Sequence, residues 1–240
     1  MSASPANPYP SAQLLAMRFG VAFVLLALLP AVVWDTVRGL GVDLVAADDA
    51  TRVEWSMLGF VIACAAVVVF ARWQSPGDGW GRPRVGWALV RYLPFLLGWS
   101  ALLVGYLALA RSMQWAVPPQ PALAYLAQAD VARPGFWLVA LGTVVGAPLA
   151  EELVFRGFLQ SALLRVLPPF AAVGTAAVIF GLCHTLPYAL PVTLLGALFG
   201  ELARRGGGLW PAIVAHSAHN LTTLLVTYFW PESLQLLYPQ

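Results

Sequence analysis

The side chains able to do acid–base chemistry are few, and apolar residues surround them. All three histidines, His184, His216 and His219, lie in hydrophobic stretches, as do Glu151, Glu152, Arg156 and Asn220. An ionisable group placed in a membrane-length apolar run costs about 2.5–3.5 kcal/mol on insertion scales, so each of these is a candidate for function.

Their spacing suggests pairings. In Glu151-Glu152-Leu153-Val154-Phe155-Arg156, the interval of four puts Glu152 and Arg156 on one helical face with the acid N-terminal to the base, the better order for an ion pair. Glu151 then points about 100° away and has no local partner. A carboxylate in such a place can serve as a general base; the alternative is that both acids join Arg156 in a buried structural network. Phe180 and His184 share a face by the same interval, as do His216 and Asn220, and His219 can reach the latter face. Taken singly, a histidine of this kind is more often a packing residue than a catalyst. Three such elements on three separate hydrophobic segments argue for a common site.

Peptide hydrolysis inside a bilayer would use this set. It needs a base to activate water, a partner to orient it and donors for the developing oxyanion. Glu151 with His184 would supply the first two, and His216 with Asn220 the third. Other routes leave different marks. No histidine is followed by glutamate, which excludes the H-E-x-x-H zinc motif. Ser217 lacks flanking glycines, so there is no G-x-S-x-G elbow, and no pair of aspartates lies in the apolar runs.

The elements that must position these residues are membrane spans. Of 240 residues, 60% are hydrophobic and 10% charged, with mean hydropathy +0.77, against roughly 45–50% and about 25% in a soluble domain. Apolar runs cover Leu14–Trp34, Glu54–Trp73, Gly86–Ala110, Gly135–Leu167, Phe170–His184, Leu190–Ala203 and Leu209–Trp230. The fourth contains Pro148 and reads either as one kinked helix or as two half-spans. The expected fold is therefore all-α, a polytopic transmembrane bundle of seven or eight spans with the site inside the membrane. It forms one integral domain over residues 1–240, with the chemistry in 145–230 and no recognised motif in 1–144. The first segment reads as a retained helix, because it is too long for a signal-peptide core and no cleavage site follows.

All 13 basic residues are arginine. With seven spans and the N-terminus inside, Arg18, Arg72, Arg82, Arg84, Arg91, Arg165, Arg204 and Arg205 are cytoplasmic, and Arg38, Arg52, Arg111 and Arg133 are outside. An eighth span reverses everything after the break. Short arginine clusters suit membrane flanks, whereas a nucleic-acid partner would require a dense basic stripe. Cys64 and Cys183 both read as buried small hydrophobes.

The three motifs, in order, resemble the CAAX prenyl protease and bacteriocin-processing (CPBP, or Abi) family of intramembrane proteases. The resemblance runs from Val145 to Leu225 through E-E-x-x-x-R at Glu151–Arg156, F-x-x-x-H at Phe180–His184 and H-x-x-x-N at His216–Asn220. The flanks Ala147-Pro148 and Gly208-Leu209-Trp210-Pro211 are similar too. It implies an endopeptidase in which Glu151 activates water with His184, while His216 and Asn220 stabilise the oxyanion and Glu152, Arg156 and Phe180 support the site. The implied partners are a lipid bilayer and a membrane-associated protein or peptide substrate; the absence of lysine and the abundance of Ala, Leu, Val, Gly and Arg point to a bacterial inner membrane.

A metal-free reaction is the preferred reading, with zinc held by Glu151, His184 and His216 as its alternative. Two rivals use the same polar cluster differently. A non-catalytic immunity factor or transporter-like helper would use it as glue between helices. A proton-coupled transporter would use intramembrane Glu and His, but the two related halves expected of one are not visible.

Overall fold

The computed structural model describes residues 10–44, 47–74, 80–184 and 186–237, and among these every regular element is a helix. In chain order they are α1 (Ala12–Gly39), α2 (Asp49–Gln74), α3 (Val85–Ser112), α4 (Pro121–Leu126), α5 (Pro134–Leu163), α6 (Pro169–Leu182), α7 (Leu186–Gly206), α8 (Trp210–Phe229) and α9 (Glu232–Leu237). Each apolar run of the sequence falls on one of them. Five, α1, α2, α3, α5 and α7, are long and apolar enough to cross a membrane.

The other two runs fall short for different reasons. Helix α6 has 14 residues, about 21 Å at 1.5 Å per residue, against a hydrocarbon core of about 30 Å. Helix α8 has 20 residues, but His216, His219 and Asn220 interrupt its apolar character. By length and composition five helices are thus able to cross, fewer than the seven or eight spans expected. The outer faces fit lipid: Met17, Val21, Val24 and Leu28 of α1 and Leu93 and Leu97 of α3 are exposed, a patch that water would not tolerate. The chain is an integral membrane protein.

Helix α5 resolves the ambiguity at Pro148, because it is one continuous helix of 30 residues. It begins with Pro134 at its first position, where a missing N–H costs nothing. Two stretches, Gly142–Gly146 and Leu153–Gln160, are wound as π-helix. The first lies immediately before Pro148 and absorbs it, since widening the turn removes the clash a proline makes with the preceding carbonyls.

Helices α1 and α2 pack as a pair against α5, with Leu15 and Ala22 of the first and Cys64, Val67 and Ala71 of the second meeting Ala150, Leu153 and Phe158. At one end of the bundle, Arg18 of α1 donates to the Gln74 carbonyl of α2 at 3.1 Å. The chain after α2 joins the same end, where Trp80 lies 5.9 Å from Trp210 between ring centres. Gly81 there presses on the turn between α7 and α8 so closely that a Cβ on it would fall 2.4 Å from the Gly207 carbonyl oxygen. In that turn Gly207 and Gly208 have φ of 75° and 149°, values open to glycine and strained for other residues. At the opposite end, Glu54 of α2 accepts from Tyr125 of α4 at 2.7 Å and pairs with Arg133 at the start of α5. Both cysteines are free; Cys64 is buried as expected, but Cys183 is exposed, because α6 ends just before it.

Candidate active site

A cavity of about 420 Å³ opens between α2, α3, α5, α6, α7 and α8, and Glu151, Phe180, His184, His216, His219 and Asn220 are among its lining residues. The three motifs, the first and third of which begin 65 residues apart at Glu151 and His216, therefore meet at one place.

Adjacent carboxylates on α5 are divided between two environments. Glu152 is fully buried behind the cavity wall and does not line it. Its Oε1 lies 3.1 Å from Arg156 Nη1, the expected ion pair, and also 2.9 Å from His216 Nδ1 on α8. Glu151 turns the other way, with its side chain 16% exposed and Oε2 3.9 Å from His216 Nε2. His216 thus stands between the two acids. A carboxylate already paired with arginine accepts, so Nδ1 carries a proton and Nε2 is the nitrogen presented to the cavity.

Arg156 is held by groups of α5, α6 and α7. Its Nη2 donates to the Gly196 carbonyl of α7 at 2.9 Å, and its guanidinium lies 4.4 Å from the Phe180 ring centre and 5.7 Å from that of Phe199, a cation–π arrangement that replaces lost hydration. Phe199 in turn stacks on His216 at 4.6 Å and 18°. One turn further along α5, Gln160 Nε2 donates to the Gly200 carbonyl at 3.0 Å. Arg156 and Gln160 form two rungs onto Gly196 and Gly200, and only glycines leave room for them. The sequence reading missed these rungs, although Gly196-Ala-Leu-Phe-Gly200 is a G-x-x-x-G pattern of the kind that brings membrane helices together.

His184 occupies the break between α6 and α7. Its Nδ1 lies 3.0 Å from the Phe180 carbonyl. A carbonyl can only accept, so Nδ1 bears the proton and Nε2 is left as an acceptor. Glu151 and His184 both line the cavity but make no direct hydrogen bond or ion pair. The early end of α6 also explains how His184 reaches the depth of Glu151, a placement that a full crossing of this segment would not allow.

Asn220 donates from Nδ2 to the Thr143 carbonyl at 2.8 Å. That carbonyl is free for a local reason. In the π stretch the Ala147 N–H bonds to Gly142, and the next π-helical donor, for Thr143, would be Pro148, which has no N–H. Proline and π turn together expose one carbonyl, and α8 docks its asparagine there. The amide keeps its second N–H.

The residues weighed for zinc, Glu151, His184 and His216, do not form a ready ligand set. Among the described residues no three His, Cys, Asp or Glu side chains are gathered closely enough to hold a metal ion.

Fold and site define an all-helical membrane protein with a carboxylate–histidine–asparagine cluster facing an internal cavity. Residues 133–222 match the Rce1-like family model, described as Type II CAAX prenyl endopeptidase Rce1-like. The match bears out the resemblance read from the motifs and spans all of them, from α5 into α8. No curated protein and no solved structure matches the chain.

Proposed function

We propose that the protein is an intramembrane endopeptidase that hydrolyses a peptide bond of a membrane-associated protein or peptide with water activated by Glu151, without a metal. The observation that carries this reading is the division of labour between neighbouring acids. Glu152 gives one oxygen to both Arg156 and His216 and is sealed from the cavity, whereas Glu151 faces it. A helper that used the cluster as glue would have both acids satisfied by protein groups.

The Glu151 carboxylate takes a proton from water as the water oxygen bonds to the scissile carbonyl carbon. His184 accepts the water's other hydrogen at Nε2 and so fixes its approach. The carbonyl oxygen, now an oxyanion, is met by the free N–H of Asn220 and by Nε2–H of His216, which with a proton on each ring nitrogen still gives Nδ1–H to Glu152. Collapse breaks the C–N bond, and the Glu151 carboxyl returns its proton to the leaving nitrogen. Placement in a bacterial inner membrane with the N-terminus inside belongs to the same proposal. Its support is the grouping of arginines at loop ends.

The test is cleavage of candidate single-span substrates by the purified protein in vesicles, with products mapped by mass spectrometry. Cleavage at a defined bond is expected. A preparation that binds such substrates and never cuts them would point to the helper reading.

A further inference from the structure

His219 is a buried histidine for which the mechanism above has no use. It is 8% exposed, lies on α8 between the two proposed oxyanion donors, and lines the same cavity as Glu151 and Asn220. Its ring is fixed from behind by α3. Nδ1 lies 3.2 Å from the hydroxyl of Tyr92, itself 1% exposed, and Trp99 stands edge-on to the ring at 4.7 Å and 90°. Among the described residues Nε2 has no protein partner. The Tyr92 hydroxyl, which Thr222 also reaches, is assigned as the donor to Nδ1, an arrangement that puts the ring proton on Nε2. A rigid donor is therefore presented to the cavity. Among the described residues no carboxylate lies within ion-pair distance of it, which distinguishes it from His216.

We propose that His219 is a substrate-binding residue whose Nε2–H donates to a main-chain carbonyl of the peptide lying across Glu151, with Tyr92 as the residue that positions it. The proposal rests on the peptidase reading of the cavity. A peptide drawn into this cavity leaves water behind, and each of its carbonyls then needs a donor. Apart from the groups assigned to chemistry, His219 is the buried nitrogen donor on this lining whose ring is already held by another helix. The recognised feature is the peptide backbone, so the preference it creates is for an extended, unfolded stretch of substrate with little dependence on side-chain charge.

The experiment uses the full chain in phosphatidylethanolamine/phosphatidylglycerol vesicles, with a neutral, internally quenched single-span peptide as probe. KM and kcat are measured for wild type, H219A, H219Q and Y92F. H219A is expected to raise KM about tenfold, the value of one buried hydrogen bond, while kcat stays within about threefold. H219Q, whose amide can donate, recovers part of the loss, and Y92F gives a smaller rise of about threefold. The same peptide is titrated onto E151Q and onto E151Q/H219A, which reads binding without turnover. About tenfold weaker binding to the double variant supports the assignment, even if wild type leaves the probe uncut and the peptidase reading falls. Equal binding to both, or an H219A variant that loses kcat at unchanged KM, overturns it.

Discussion

Replacing Gly196 by alanine isolates the contact that holds the buried ion pair. On an open helical surface this change stabilises, by up to about 1 kcal/mol from helix propensity. Here the new Cβ would lie 3.0 Å from Phe180 Cδ1, 3.3 Å from Ala177 Cα and 3.3 Å from Arg156 Nη2. Two of those neighbours are a buried ring and a backbone atom, so the displacement falls on Arg156. Overpacking costs about 1–3 kcal/mol, and weakening a hydrogen bond from a charged group about 1.5–3 kcal/mol. Set against the propensity gain, the net loss is about 1.5–5 kcal/mol, several degrees or more in a thermal melt in detergent. Gly105 of α3 is the control, since a Cβ there meets nothing within 4 Å and Gly105→Ala should melt at or slightly above wild type. Activity of Gly196→Ala should fall beyond what stability accounts for, because moving Arg156 moves Glu152 and through it His216. A Gly196→Ala protein that melts with Gly105→Ala refutes the rung between α5 and α7.

Three other outcomes follow from the site. Arg156→Ala leaves the buried Glu152 carboxylate with His216 Nδ1–H as its remaining partner, so it should lower stability by up to about 3–5 kcal/mol in detergent melts as well as reduce activity. Asn220→Ala removes an oxyanion donor and the tie to the Thr143 carbonyl. Turnover should drop about 10²–10³-fold with a smaller loss of stability, separated by comparing kcat with the melting midpoint. Chelation should leave the wild type active and elemental analysis should find no stoichiometric zinc. Zinc present in wild type and absent from His216→Ala would overturn the metal-free proposal while leaving the peptidase reading intact.

What the sequence disclosed was local. An interval of four on a helix is enough to pair Glu152 with Arg156, and the ion pair is there. Of the polar residues that stood out against their apolar surroundings, Glu151, His184, His216, His219 and Asn220 line the cavity, and Glu152 and Arg156 lie behind it. Contacts between distant segments were not legible. His216 reaches Glu152 across 64 residues, and no spacing rule connects α5 to α8. The Asn220–Thr143 bond was hidden for another reason: it depends on a π turn whose register frees one carbonyl, whereas proline alone signals only a kink. Length and composition mark five helices as able to cross and leave out α6 and α8, of which one stops at 14 residues and the other carries His216, His219 and Asn220. Gly196 and Gly200 did carry a signal, but its meaning needed the two long side chains that lie across them.

The central claim is that Glu151, and not its neighbour, activates water. Glu151→Gln keeps the size and polarity of the side chain but cannot take a proton from water, and Glu151 makes no ion pair with Arg156 that the change would break. The direct measurement is kcat of purified wild type and Glu151→Gln on one membrane-embedded substrate in the same vesicles, with both proteins shown to melt alike. The account predicts a fall of at least about 10²-fold, reaching about 10⁴-fold if proton transfer is fully rate-limiting. Turnover by Glu151→Gln near that of the wild type would contradict it.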